Sequence, residues 1–156
     1  MSSGDSTEHG FIVRISDKSE IWIYARRFLY VGIERKWAAG SRLVFVKKIT
    51  SNDVFMGSGT VDQIQDLGFL QKDEAAMCQK NGWHKKIIFK RLARYLPAIP
   101  LCGSSSQFLS FLIYNRTDSK SQTKTQQDQN IPLHGLPITH ADILKIEGLA
   151  KAIIIS

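Results

Sequence analysis

The stretch GSRLVFVKKITSNDVFMGSGTVDQI, Gly40 to Ile64, decides the fold. "RLVFVKK" alternates as a strand, with Leu43, Phe45 and Lys47 on one side and Val44, Val46 and Lys48 on the other. "TSND" supplies turn residues whose side chains satisfy turn backbone. "VFMGSGTVDQI" then returns as the second strand of an antiparallel hairpin. Its glycines raise a question. Phe55, Gly57, Gly59 and Val61 share one face, so Gly57 and Gly59 leave a bare backbone patch there. Strand glycine marks tight curvature or close approach by another group. A bent barrel strand accounts for the first, and a flat base laid on the strand for the second.

Working outward, "FIVRIS" (Phe11 to Ser16) reads as a first strand and "SDKSE" as a turn. Ala25, Phe28, Leu29, Gly32, Ile33 and Trp37 follow helical spacing, with Gly40 as the stop and Trp37 in the core. On the other side, "QKDEAAMCQKNG" is a short helix: acids come early, lysine late, glycine at the end. "WHKKIIFKRLARYLP" is a long strand ended by Pro97, and "AIPL" after it is extended. "SSSQFLSFLIYN" fits either a short helix or a strand. Arg116 to Asn130 contains no large apolar residue and reads as a flexible loop. Thr139 and Asp142 stand three apart as a capping box, Ile143 and Ile146 give that helix its apolar side, and Gly148 ends it. "LAKAIIIS" reads as a final buried strand. The expected fold is α+β: a small, curved, mostly antiparallel β-barrel with two or three short helices. Residues 1–10 form a flexible N-terminus, and residues 11–156 one domain with its loop at 116–130.

Composition narrows function. The chain has 156 residues, 43% of them hydrophobic, and a formal net charge of +7. No apolar run approaches the roughly 18–20 residues of a membrane helix. "MSSGDSTEHG" lacks the pattern of a signal peptide. Cys78 and Cys102 form no CxxC, so a reduced cytoplasmic setting is the expectation. The basic balance favours a polyanionic partner, nucleic acid first. His9, His84, His134 and His140 show no metal-ligand spacing with either cysteine, and no HExxH, GxSxG or Walker lysine motif occurs. Neither catalysis nor a cofactor is indicated.

Charge concentrates in "WHKKIIFKRLARYL", which holds Lys85, Lys86, Lys90, Arg91 and Arg94 and no acid. Simple alternation puts Ile88 and Leu92 with Lys86, Lys90 and Arg94, and Ile87, Phe89 and Ala93 with Lys85 and Arg91. Cations interleaved with rings suit a nucleic-acid surface, where cations meet phosphates and rings stack on bases. A half-exposed strand whose lysines block edge pairing would look the same. Trp22 and Trp83 each begin a segment beside polar residues, as stacking platforms do, although packing explains either one alone.

The order of these segments resembles the PUA-like superfamily, and within it the small archaeal and bacterial EVE-domain type. "FIVRISDKSE", "GSRLVFVKK", "VFMGSGTVDQI", "GWHKKIIFKRLARYLPAIPL" and "FLSFLIYN…LHGLPITHADILKI" follow one another as that family's elements do. Ser41, where the family usually has an acid, and the loop 116–130 depart from it. The resemblance implies a non-enzymatic nucleic-acid-binding barrel that recognises RNA or a modified base through an aromatic pocket. Its pocket would draw on Ser16 and Lys18 after the first strand, on Trp22, Tyr24 and the neighbouring Arg26, and on the strand pair around Lys47 and Ser58. Trp83 with Lys85, Lys86 and Lys90 would form the rim. The implied partner is RNA or modified DNA, with no membrane, metal or cofactor. The alternatives are an ASCH-like enzyme acting on RNA or nucleosides, and a protein-interaction module with a basic surface.

Overall fold

A computed structural model describes residues 10–49, 52–100, 133–148 and 151–155. Residues 1–9 of the expected flexible N-terminus, the segment Ser104–Asn115 and the loop 116–130 lie outside the described residues, while Gly10 begins the first strand. The 40–64 hairpin forms as expected. Strand β3 (Arg42–Ile49) pairs antiparallel with β4 (Asn52–Asp66). Strand β5 (Lys85–Pro100) lies antiparallel on the far side of β4. Strand β1 (Gly10–Arg14) joins β3 in parallel, the one parallel pairing among the described strands. Two short strands complete the path: β2 (Phe28–Val31) beside the start of β5, and β6 (Leu136–Ile138) beside β1. The order is β2-β5-β4-β3-β1-β6, curled into a half-barrel, and β7 (Lys151–Ile155) pairs with β5 beyond β2.

Among the described residues three α-helices pack around this sheet: α1 (Asp17–Arg26), α2 (Lys72–Lys80) and α3 (His140–Glu147). The sheet is covered on both faces, which explains the unbroken apolar run of β3. Leu43 and Phe45 join Phe11, Val13, Ile23, Leu29, Phe89 and Leu92 on the α1 side. Val44 and Val46 join Ile12, Phe55, Tyr95, Ile143 and Ile146 on the α3 side. Complete burial of one such side chain contributes about 1.5–3 kcal/mol.

Four sequence expectations are corrected. "SDKSE" is the first part of a helix, not a turn. Ser16 accepts the Ser19 N–H at 3.1 Å as N-cap, and Asp17 and Glu20 suit the positive end of the helix dipole. The helix expected from Ala25 to Trp37 does not form. Arg27 turns left-handed at φ 66° and closes α1, and Phe28–Val31 is strand. Its residues alternate: Leu29 and Val31 enter the α1-side core, while Phe28 and Tyr30 face an aromatic cluster. Pro97 does not end β5. Four residues, Tyr95 to Ala98, stand opposite Met56 alone, and a proline in such a bulge owes no ladder hydrogen bond to β4. Strand β7 is not buried: it lies on β5 with Ile153 half-buried and Ile154 exposed.

The expected face of β4 also changes: the bulge between Phe55 and Gly57 puts Phe55 with Val44 and Val46 on the α3 side, opposite Gly57, Gly59 and Val61. Expectations at Trp37 and at the cap of α3 hold. Trp37 packs edge-on to Phe11 with centroids 4.9 Å apart. The capping box of α3 is complete: the Thr139 hydroxyl accepts from Asp142 N–H, and the Asp142 carboxylate accepts from Thr139 N–H. Among the described residues no helix is long and apolar enough to cross a membrane.

Candidate nucleic-acid interface

The bare patch at Gly57 and Gly59 is filled by the protein itself. A Cβ on Gly57 would run into the Ala93 carbonyl oxygen and the Tyr24 hydroxyl. One on Gly59 would meet Phe89 Cδ1 at 2.8 Å and Leu92 Cδ2 at 3.0 Å. The glycines therefore admit side chains of α1 and β5. Tyr24 crosses the patch from α1 and donates its hydroxyl to Ala93 O at 2.8 Å. The Arg94 guanidinium stacks 3.9 Å from the centre of its ring. Burial, opposed by Arg94, raises the phenol's pKa far above the ordinary range, so the hydroxyl stays a donor.

The expected site residues fall into separate groups. Around Tyr24, Glu20 accepts from Lys47 Nζ at 2.7 Å and from Arg94 at 3.2 Å, and Asp17 also pairs with Lys47. These hydrogen bonds, Asp17 first, raise the pKa of Lys47. Ser16 is spent as the cap of α1, and Arg26 sits in its last turn, where a cation suits the dipole.

A second group surrounds the start of β5. Trp83 stacks on Tyr30 with centroids 5.0 Å apart, and Trp22 meets both rings edge-on. Lys18 lies 5.3 Å from the Trp22 ring and Lys86 4.6 Å from Phe28. Glu74 of α2 accepts from the Tyr30 hydroxyl at 2.5 Å and from Lys86 at 2.7 Å. Burial of Glu74 works against its charge, but the hydrogen bonds from Lys86 and Tyr30 outweigh it and hold the carboxyl below its ordinary pKa. Lys85 pairs with Asp66, which raises the lysine's pKa. The rings here bind one another, Lys85 and Lys86 are paired with carboxylates, and Lys18 lies over the Trp22 ring.

Ser58 and Lys90 lead to the third group. The bulges of β4 and β5 shape it. Thr60 pairs with Arg91 and Val61 with Phe89, so Lys90 has no opposite residue. The bulge corrects the simple alternation of β5. Leu92 joins Ile87 and Phe89 in the α1-side core, while Arg91 and Ala93 face the α3 side. Register then aligns two cross-strand rows: Arg42–Thr60–Arg91, and Val44–Ser58–Ala93–Ile154. Glu147, at the end of α3, closes over them, and a cavity of about 210 Å3 results. A second cavity, about 380 Å3, adjoins it and shares Thr60 and Arg91, with Lys90 on its wall.

The first cavity has a polar floor. Arg42 Nη2 donates to Glu147 Oε2 and, at 3.2 Å, to the buried Ser58 hydroxyl. Ser58 and the Tyr95 hydroxyl reach the same carboxylate oxygen at 3.3 and 3.4 Å. Burial, reinforced by Glu147, pushes the Tyr95 pKa far up and keeps its proton in place. Among the described residues, Lys90 and Arg91 have no acidic partner. At least three of the five cations of β5 are thus neutralised, and the two at the bulge are open to an outside anion.

Arg42, Thr60 and Glu147 were not legible as site residues, because their meeting depends on register. Arg91 was visible as part of the basic strand. Glu147 left one faint signal: an acid at a helix C-terminus opposes the dipole and needs a cation beside it. Among the described residues no three His, Cys, Asp or Glu side chains gather as a metal site. No family model matches the chain, and no curated protein or solved structure matches it.

Proposed function

We propose that this protein is a non-enzymatic nucleic-acid-binding domain, taking RNA or a strand with a modified base, and that it binds at the Arg42–Thr60–Arg91 row and Lys90. One observation carries this reading: two cations without an acidic partner among the described residues stand at the mouth of a polar cavity. Lys90 and Arg91 would hold phosphates, and the adjoining cavity would admit one base. At about 210 Å3 it is smaller than the roughly 300–1,000 Å3 of pockets for drug-sized ligands. One flat ring system is the size of ligand it suits. The likeness of the segment order to PUA-like domains supports the same reading.

The test is a salt titration of single-stranded RNA and DNA oligonucleotides by fluorescence anisotropy. Affinity should fall steeply with salt. Lys90→Glu with Arg91→Glu should weaken binding and flatten the log–log slope by about 0.7 for each phosphate no longer held. Salt-independent affinity would favour a protein-interaction module, and unchanged binding by the double variant would refute the assignment of this surface.

A further inference from the structure

We infer, resting on the binding reading above, that the cavity selects an unpaired guanine through its Watson–Crick edge. A cavity for phosphate alone would not carry a carboxylate in its wall, because Glu147 would repel the ligand. Glu147 calls for a ligand that donates hydrogen bonds, while Arg42 calls for one that accepts them. The two are already paired through Arg42 Nη2 and Glu147 Oε2. No hydrogen bond from a described residue reaches Glu147 Oε1, or uses Arg42 Nη1 or Nε. The cavity therefore sets a carboxylate acceptor beside a guanidinium donor.

Among the bases, guanine has the matching sequence of groups. Its exocyclic amine and ring N1–H are adjacent donors that Glu147 Oε1 can accept together, Oε2 being committed to Arg42, Ser58 and Tyr95, and O6 beside them is an acceptor for Arg42 Nη1. Uracil offers one donor between two carbonyls. Adenine and cytosine each set one donor beside a ring-nitrogen acceptor and so, like uracil, give Oε1 a single donor. The division of space agrees with this. The smaller cavity takes the base, and the larger one, sharing Thr60 and Arg91 and bordered by Lys90, takes the sugar and phosphate outside it.

The test uses the full chain and oligouridine 8-mers carrying one central G, A, C, U or inosine. Guanine should bind about 5- to 150-fold tighter than the other three bases, the range of one two-pronged base contact. Inosine, which lacks the exocyclic amine, should lose most of that gain. 7-Deazaguanine, altered only on its other edge, should keep it. Glu147→Gln should bring the guanine-to-uracil ratio toward one, with a melting curve to check folding. The inosine comparison needs no protein variant, so it decides even if that variant unfolds. Equal binding of all oligonucleotides, or a preference for cytosine, overturns the inference alone. A protein that binds none of them overturns it together with the function it rests on.

Discussion

The two faces of β4 between Gly57 and Thr60 are built oppositely from adjacent residues. Gly57 and Gly59 present nothing, and that face is closed, because Tyr24, Phe89 and Leu92 occupy the space. Ser58 and Thr60 present side chains, and that face is open, a cavity lined by Arg42, Arg91 and Glu147. A missing side chain therefore does not mark a vacancy. In a close-packed interior the space beside a glycine is taken by whatever else must pass, here a tyrosine hydroxyl reaching a strand carbonyl. Openings arise where polar groups pair along a margin and leave a hydrogen-bonding edge unused.

The largest test of this contrast is Gly57→Ala. The new methyl would strike the Ala93 carbonyl, which is backbone and held in the β4–β5 ladder, as well as the Tyr24 hydroxyl. A loss of about 3 kcal/mol or more is expected in chemical denaturation, at the upper end of overpacking costs. A wild-type melt combined with lost oligonucleotide binding would reverse the contrast and put the ligand on the glycine face. Gly59→Ala should cost less, about 1–2 kcal/mol. Its neighbours are the Phe89 ring and a Leu92 methyl, which can give way where a carbonyl cannot.

Much of the scaffold was legible, and the reasons are local. The 40–64 hairpin, the long basic strand, α2 and the capping box of α3 all follow from alternation, turn residues and caps. Segment 17–31 misled because both periods fit it. Apolar residues at 25, 28, 29 and 33 imitate a helix stripe, while the Ser16 cap and left-handed Arg27 confine the helix to Asp17–Arg26. The parallel pairing of β1 with β3 and the Arg42–Thr60–Arg91 row are properties of register. One unmatched residue, Lys90, changes which side chains share a face. Charge misled in the same way. Lys85 and Lys86 look equivalent to Lys90 and Arg91 in the sequence, yet Asp66 and Glu74 arrive from elsewhere to neutralise the first pair.

That difference within β5 can be sharpened by pH. Glu74 has its folded-state pKa held below its ordinary value of 4.5, chiefly by Lys86 and Tyr30 against the opposing effect of burial. A lowered carboxyl pKa stabilises the fold above the unfolded pKa, and this contribution is lost as pH falls through the folded one. Glu74→Gln should cost about 1 kcal/mol near neutrality, allowing for partial exposure. It should also flatten the dependence of the melting temperature on pH below about 4.5. A parallel pH profile for variant and wild type would mean that the pair adds no stability, and that Lys86 is as available to an anion as Lys90.

The smallest effect on stability should come from Thr60→Val, and it separates the two faces most cleanly. Valine keeps the shape of threonine and its preference for strands. The position is half-buried at the cavity wall, and its hydroxyl makes no hydrogen bond to another described residue. Stability should change by no more than about 0.5 kcal/mol. Binding should respond more, because Thr60 borders both cavities, where base and phosphate would meet. Loss of one neutral hydrogen bond, about 0.5–1.5 kcal/mol, weakens affinity about 2- to 12-fold. Tyr24→Phe on the opposite face should do the reverse: it removes the side-chain donor to the Ala93 carbonyl, lowers the melting temperature and leaves affinity unchanged. If Tyr24→Phe weakens binding and Thr60→Val does not, the ligand lies against α1, and the cavity beside Glu147 is only the margin of a polar cluster.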